Sequence, residues 1–211
     1  MGFLLLITGD PNRQKYKKHF KHKYLIIKDY QKMKHIKRLV WEIIPTGTPL
    51  LKKKCNRCND SNLYYSSDRF RLNSQKRYID VWLIYRCIQC DSTCNITILS
   101  RTKPQLINEE LYQRFSLNDK QTAWQYAFDP DIASKNSLNI DFGNLEYNII
   151  GKCTSLNDIS KQEESFIEIE IKTDFEFPLK LTSLLRKGFN ISSAQLNKMF
   201  EKGIITIQSS S

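Results

Sequence analysis

The first half of the chain has the two-residue hydrophobic period that is typical of β-strands. The apolar run "RLVWEIIP", which ends at Pro45, predicts one strand. The stretch "RFRLNSQKRYIDVWLIYRC" predicts a hairpin with its polar turn at Asn73 to Lys76, and the alternation in "NITIL" predicts a further strand. We therefore expect this region to be rich in β-structure.

Residues 105–137 change to the period of helices. Asn108 is placed to cap a helix over "EELYQRF", and Asn118 with Gln121 resembles the capping box that starts a second helix. The apolar side chains of "AWQYAF" share one face of that helix, which Pro130 is expected to end. The pattern predicts a helical insert between two β-rich regions.

The strand period returns in residues 138–177. In "SFIEIEIKTDFEF" the three isoleucines fall on one face of a strand and the glutamates between them fall on the other. One face of this sheet is expected to be buried and the other acidic.

Residues 178–211 carry clear signals for the start and end of two helices. A leucine stripe in "PLKLTSLLRKG" predicts a helix that ends before a C′ glycine, Gly188, and Ser192 with Gln195 makes a capping box for the next helix. That helix is expected to end at Gly203, after which "IITI" predicts a strand.

The formal net charge of +11 is concentrated near the N-terminus. Residues 1–54 carry 14 Lys or Arg and 3 Asp or Glu, whereas residues 55–211 carry 19 of each. The leader "RQKYKKHFKHK" suits an anionic partner such as a nucleic acid, but a solvated, poorly ordered tail is the simpler interpretation. The stretch "MKHIKRLVWEI" offers Met33 as a second plausible translation start.

Composition and motifs disfavour several classes of protein. No stretch approaches the roughly 18 apolar residues of a membrane span, and "FLLLI" is too short for a signal peptide, so we expect a cytoplasmic protein without membrane association. All three histidines precede residue 36, and the chain has no Gly-rich phosphate loop. We therefore expect no enzyme and no small-molecule substrate. Asp129 and Asp131 are a close carboxylate pair, which the end of a helix at Pro130 explains.

Four cysteines have the spacing of a structural metal site. Cys55 and Cys58 form one Cys-x2-Cys pair, and Cys87 and Cys90 form a second pair after 28 intervening residues. Two such knuckles can place four thiolates about 2.3 Å from one Zn²⁺ ion, which fills its tetrahedral shell. We therefore predict a structural zinc ion. Nearby cations are expected to balance the charge of this cluster: Lys52, Lys53, Lys54, Arg57 and Arg86.

Two further cysteines lie outside these pairs. Cys94 follows Cys90 by four residues and could exchange with a ligand, and Cys153 follows the stretch "IIGK". For both, the role of a small buried apolar side chain is the simpler interpretation.

From about Trp41 onward the chain resembles a bacterial family known as domain of unknown function 1062. The residues that carry the resemblance are "WEIIP", the two Cys-x2-Cys knuckles, "FRLN" followed by "YIDVWLIYRCIQCDSTCNITI", and "TAWQYAFD". This resemblance implies a bacterial cytoplasmic protein with a zinc ribbon, and it implies no particular activity.

Residues 177–207 resemble the small RNA-binding module first known from a small-subunit ribosomal protein, here called the S-four-type module. The stretch "LTSLLRKGFNISSAQLNKMFEKGIITI" has the order of that module: a helix with paired leucines, an "IS" turn, a second helix, glycine and a strand. It departs at Ser193, where such modules usually have Arg, and in its ending "QSSS". The resemblance implies contact with structured RNA through five basic residues: Lys180, Arg186, Lys187, Lys198 and Lys202.

The patterns and resemblances together predict an α+β fold in five segments. These are a basic leader at 1–32 that is poorly ordered or not native, a β-rich zinc-ribbon domain at 33–104, a helical segment at 105–137, β-strands at 138–177 and an S-four-like helical module at 178–211.

Two functions suit this organisation best. The first is a non-enzymatic, zinc-stabilised protein that binds structured RNA, such as ribosomal or transfer RNA, by shape and phosphate contacts. The alternative is a protein–protein adaptor in which the ribbon, the β-rich middle and the acidic strand form a docking surface. An enzyme would need a pocket with convergent carboxylates.

Overall fold

The computed structural model of the protein describes residues 22–27, 35–75, 77–151 and 165–208. The predictions for Met33, Cys153 and most of the leader lie outside these residues. The strands are β1 (His22–Ile27), β2 (His35–Pro45), β3 (Leu50–Cys55), β4 (Asp60–Gln75), β5 (Tyr78–Cys87), β6 (Thr93–Thr102), β7 (Asn139–Asp141), β8 (Tyr147–Ile150), β9 (Ser165–Lys172) and β10 (Ile205–Gln208). The helices are α1 (Glu109–Ser116), α2 (Lys120–Phe128), α3 (Pro130–Lys135), α4 (Leu181–Phe189) and α5 (Ser193–Glu201), with a short 3-10 helix at Pro104–Leu106.

These elements confirm the predicted α+β fold, and they group into two compact units. Residues 45–146 form one unit, here called the cysteine unit, and residues 1–44 with 147–211 form the other, here called the split unit. This grouping cuts across the five segments that the sequence suggested. Within the described residues, no helix is both long enough and apolar enough to cross a bilayer.

The cysteine unit is built on a five-stranded sheet with the order β6-β5-β4-β3-β7. Every neighbouring pair in it is antiparallel. The central hairpin of β4 and β5 pairs as far as Gln75 and Tyr78, so Asn73 to Gln75 lie in β4 rather than in the predicted turn at Asn73 to Lys76. Where the chain enters and leaves the unit, the backbone N–H of Thr46 donates to the carbonyl oxygen of Glu146 at 2.9 Å.

Alternation along β5 decides which face of this sheet is buried. Ile79, Val81, Leu83 and Tyr85 are all buried, whereas the residues between them are partly exposed. Helices α1 and α2 cover the buried face, where the ring of Phe70 on β4 meets that of Phe115 edge to face at 4.8 Å. The helices and the inward-facing residues of the sheet thus form one hydrophobic core.

The helix boundaries in this unit confirm the predictions for Asn108 and Pro130 and correct the prediction for Asn118. Asn108 caps α1 as predicted, because its side chain accepts the backbone N–H of Glu110. The predicted cap of α2 was wrong by one residue, since Asp119 is the N-cap. Asn118 instead accepts the backbone N–H of Phe70 at 2.6 Å. Pro130 follows α2 as expected but also opens α3.

The split unit contains the second five-stranded sheet, with the order β10-β1-β9-β2-β8. Strand β1 pairs antiparallel with β9 and β10, and β2 pairs parallel with β9. Strand β1 falls within the leader, so this part of the leader takes part in a sheet. On β9, Ile169 and Ile171 are buried as their alternation predicted, and Glu170 is half-buried and ion-paired with Lys172.

The C-terminal helices follow the predicted order of helix, turn, helix and strand. The capping box is present, since Ser192 and Gln195 exchange side-chain and backbone hydrogen bonds. The prediction for Gly188 was wrong, because this glycine lies inside α4, and Asn190 takes the left-handed conformation at φ 53° that ends the helix. A Cβ on Gly188 would lie 2.2 Å from the indole of Trp41, so the glycine permits close packing of α4 on that ring.

Candidate metal centre

The four paired cysteines lie at equivalent positions in two turns of the cysteine unit. Cys55 is the last residue of β3 and Cys87 is the last residue of β5. Cys58 and Cys90 lie in the turns that follow these strands. The first cysteine of each pair is buried and the second is half-buried. Strands β3 and β5 both run antiparallel to β4, which lies between them, so their C-terminal ends lie at the same edge of the sheet and bring the two predicted knuckles together.

Both knuckles are closed by the same backbone hydrogen bond. The N–H of Asn59 donates to the carbonyl oxygen of Cys55 at 2.8 Å, and the N–H of Asp91 donates to that of Cys87 at 2.9 Å. Asn59 and Asp91 have positive φ angles of 61° and 57°. Asn and Asp tolerate this conformation better than other residues with a side chain. The residue that follows the second cysteine of each pair is thus of a type that readily adopts the positive φ angle of the turn.

The sulfur positions fit a tetrahedral metal ion. All four Sγ atoms lie within 4.8 Å of one another, with separations of 3.6 Å between Cys55 and Cys90 and 3.9 Å between Cys58 and Cys87. Four sulfurs about 2.3 Å from one ion would lie about 3.8 Å apart. The group Cys55, Cys58, Cys87 and Cys90 can therefore hold a metal ion, as the sequence suggested.

The hydroxyl groups of Ser92 and Tyr64 form hydrogen bonds with the thiols and change their pKa values. Ser92 Oγ lies 3.2 Å from the sulfur of Cys55 and 3.1 Å from that of Cys90. Hydrogen bonds with Ser92 and then with Tyr64 lower the pKa of Cys55 to about 5, and the hydrogen bond with Ser92 also lowers the pKa of Cys90. The pKa of Cys58 is raised by its hydrogen bond with Cys90 and by burial. Ser92 thus favours the thiolate form that a metal requires.

Three of the five cations that the sequence placed near the cluster have other partners. Lys52 lies 3.4 Å from a carboxylate oxygen of Asp141, and Arg86 forms an ion pair with Asp91. Lys53 donates to the sulfur of Cys94 at 3.4 Å. Lys54 and Arg57 are exposed. Cys94 is half-buried rather than buried and is not in the four-sulfur group.

The five basic residues predicted to contact RNA all belong to the split unit and are all exposed. Lys180 is the N-cap residue of α4, and Arg186 lies in its last turn. Lys187 is held within the unit, because its ammonium lies 4.7 Å from the ring centroid of Tyr147 and donates to that residue's carbonyl oxygen. Lys198 lies in the last turn of α5 and Lys202 caps its C-terminus.

Sequence analysis missed three residues that organise the metal centre: Tyr64, Asp91 and Ser92. The carboxylate of Asp91 accepts hydrogen bonds from Tyr65 and Arg86, which ties the second knuckle to β4 and β5. A usable signal was the stretch "CDS", which places an αL-tolerant residue and a hydroxyl directly after Cys90. Tyr64 is recognisable only from its pairing with Cys87 across the sheet.

The C-terminal part of the chain matches a known protein family. The sequence model described as "Protein of unknown function (DUF1062)" matches residues 72–211, which is more than half of the chain. The chain belongs to this family. The DUF1062 match includes Cys87 and Cys90 and begins after Cys55 and Cys58. Comparison with curated proteins and with solved structures gave no match.

Proposed function

We propose that this DUF1062 protein is a zinc-stabilised, non-enzymatic RNA-binding protein of the cytoplasm. Cys55, Cys58, Cys87 and Cys90 would hold the ion, and four soft thiolates in a tetrahedral arrangement favour Zn²⁺. An ion with four protein ligands has no open position for a substrate, so the role proposed for it is structural. It would join the ends of β3 and β5 and thereby fix the sheet of the cysteine unit.

The observation that carries the RNA-binding proposal is the pair of C-terminal helices with their exposed basic residues. Helices α4 and α5 have the order of the S-four-type module, and Ser192 fixes the turn between them through its capping box. Arg186, Lys198 and Lys202 lie near helix C-termini and are exposed to solvent. Basic side chains on a paired-helix scaffold suit phosphate contacts with structured RNA.

The contacts of these residues suggest an order of importance. Lys187 already stacks on Tyr147 and donates to its backbone, so its loss would weaken the fold as well as any contact with RNA. We expect Arg186, Lys198 and Lys202 to contribute most of the phosphate attraction. Lys180 is expected to contribute less, because it lies at the opposite end of α4 from Arg186.

The test is binding of the full zinc-loaded chain to transfer RNA and to a small-subunit ribosomal RNA hairpin across a salt series. We expect the triple variant Arg186→Gln, Lys198→Gln and Lys202→Gln to bind more weakly, with the slope of log K against log salt reduced by about 2 to 3. The matched control removes the same charge from the cysteine unit: Lys103→Gln, Arg114→Gln and Lys120→Gln. Equal losses in both variants, or none in either, would contradict a site on these helices.

One observation favours the adaptor as a second candidate. Three large apolar side chains of the cysteine unit are strongly exposed: Ile88 at 54%, Leu106 at 76% and Leu117 at 80%. Exposed apolar side chains can contribute to a protein interface when they are contiguous. The adaptor function would be favoured if the native chain captures a protein partner, the double variant Leu106→Ser with Leu117→Ser does not, and the native chain has no affinity for RNA.

A further inference from the structure

Among the described residues, the core helices of the cysteine unit pack on one face of the sheet, and the other face carries partly or fully exposed side chains. The residues of β5 that alternate with its buried positions are Tyr78, Asp80, Trp82, Ile84 and Arg86, and all are partly or fully exposed. Helices α1 and α2 pack on the opposite side, against residues such as Phe70. The side that carries Trp82 and Ile84 is called the open face below.

The open face combines aromatic, basic and hydrogen-bonding side chains in rows across three strands. Residues paired directly in an antiparallel sheet point to the same side. Two adjacent rows are Arg71–Trp82–Thr97 and Arg69–Ile84–Asn95. The rows lie two residues apart along β5, which is about 7 Å. An extended nucleotide can span this distance, so successive nucleotides could occupy successive rows.

The charge of the open face favours an anionic partner. Arg69 and Arg71 are exposed, and among the described residues neither has an ion-pair partner. The two acidic residues near these arginines, Asp80 and Asp91, already have other partners. Asp80 accepts the backbone N–H of Arg101 at 2.7 Å, and Asp91 pairs with Arg86. Exposed guanidinium groups beside a half-buried indole suit a phosphate backbone with stacked bases.

We propose that the open face binds single-stranded nucleic acid. Trp82 and Tyr65 would stack on bases, Arg69 and Arg71 would contact phosphates, and Asn95 and Thr97 would offer hydrogen bonds to base edges. Sheet surfaces that carry aromatic and basic side chains can bind unpaired bases in this way. This surface lies in a different unit from the C-terminal helices, so the inference does not depend on the function proposed for them.

The metal centre supports one end of this surface. Asp91, which lies between Cys90 and Ser92, accepts a hydrogen bond from Tyr65 at 2.9 Å and forms the ion pair with Arg86. Tyr65 and Arg86 pair directly across β4 and β5, one row beyond Arg69 and Ile84. A folded second knuckle therefore holds two side chains of the open face in place. Loss of the metal is expected to weaken binding of the single strand.

The experiment measures binding of the full zinc-loaded chain to a single-stranded oligouridylate of about 12 nucleotides, by fluorescence anisotropy over a salt series. We expect Arg69→Gln with Arg71→Gln to lower the affinity about tenfold or more and to reduce the salt slope by about 1.4. Trp82→Leu is expected to lower it about 5- to 150-fold. The control Arg114→Gln with Lys120→Gln removes the same charge from α1 and α2 and should bind as the wild type does.

Ultraviolet cross-linking of the same oligouridylate provides a second measurement that does not depend on variant stability. The proposal requires cross-linked peptides from β4 and β5 that contain Tyr65 or Trp82. No affinity of the wild type at low salt, equal affinity of both double variants, or cross-links confined to α4 and α5 would overturn it. Full displacement by polyphosphate together with no effect of Trp82→Leu would also overturn it, in favour of an acidic protein partner.

Discussion

The five-stranded sheets of the two units are stabilised in two different ways. In the cysteine unit, all strand pairs are antiparallel, and the two knuckles at the ends of β3 and β5 bring four cysteine sulfurs close together. In the split unit, the sheet includes a parallel pair, and α4 packs through Gly188 onto the buried indole of Trp41. The ring of Phe189 meets that indole edge to face at 5.1 Å.

The difference lies in what each unit needs in order to fold. Metal binding contributes about 10–16 kcal/mol in small structural zinc sites, which is as much as the whole stability of a typical domain, about 5–15 kcal/mol. Apolar packing has to supply the same stability through many small contacts. We therefore expect the cysteine unit to depend on the metal and the split unit to be independent of it.

The largest expected effect comes from removing one of the four cysteines that are proposed to bind the metal. Cys87→Ser should abolish tight metal binding and unfold β3 to β6, because it leaves three thiolates and a weak hydroxyl ligand. Hydrogen exchange followed by mass spectrometry should show lost protection in the cysteine unit and retained protection in β2, β9 and α4. Cys94→Ser is the matched control, since Cys94 is a half-buried cysteine outside the four-sulfur group. Loss of protection in both units would refute the proposed independence.

A change at Gly188 tests the other unit. Gly188→Ala places a Cβ against Trp41, and we expect a net loss of about 1–3 kcal/mol in the free energy of unfolding. This crowding should outweigh the gain of about 1 kcal/mol in helix propensity. Denaturant unfolding of the zinc-loaded protein measures the loss.

The matched control for this change is Gly47→Ala, because no atom lies within 4 Å of a Cβ built at Gly47. Its effect should stay within about 0.5 kcal/mol. Metal affinity should not change in either variant. A Gly188→Ala protein as stable as the wild type would mean that α4 can move away from Trp41 at no cost.

A smaller effect is expected at the hydroxyl that supports the ligands. Ser92→Ala removes an oxygen that lies within 3.2 Å of two ligand sulfurs, and changes of this kind typically lower metal affinity about 10- to 100-fold. Competition with a chromophoric chelator measures the affinity. Ser134→Ala on the exposed side of α3 is the control. Unchanged affinity in Ser92→Ala would show that the backbone of the knuckle alone fixes the thiolates.

The sequence predicted features that depend on neighbours along the chain and missed those that depend on distant ones. The cysteine spacing and the capping box of α5 involve residues three positions apart, so both were visible in the sequence. The wrong cap at Asn118 has a physical cause, because its side chain is engaged by Phe70, 48 residues away. Gly188 was misassigned for a similar reason, since the ring that requires a glycine there belongs to Trp41 on β2, which is distant in the sequence. The open face likewise becomes visible only once β4, β5 and β6 are aligned.

The smallest effects should come from replacing the N-cap residues of α2 and α5. The loss of stability is expected to depend on pH for the cap in the cysteine unit but not for the cap in the split unit. Asp119 caps α2 and accepts the backbone N–H of Thr122, and hydrogen bonds from the Thr122 hydroxyl and backbone lower its pKa. Ser192 caps α5 with a hydroxyl that does not titrate in this range. At pH 7, Asp119→Ala and Ser192→Ala should each cost about 1 kcal/mol in the free energy of unfolding.

Because the pKa of Asp119 is lower in the folded state, its contribution to stability is complete above the unfolded pKa of about 3.9 and is lost as the pH falls through the folded value. The difference between wild type and Asp119→Ala should therefore shrink in acid, whereas the difference for Ser192→Ala should stay constant. The comparison is made over the pH range in which the zinc-loaded cysteine unit stays folded in both proteins, because release of the metal in acid is expected to unfold that unit. A difference for Asp119→Ala that does not begin to shrink at the acid end of this range would mean that the cap stabilises α2 through geometry alone.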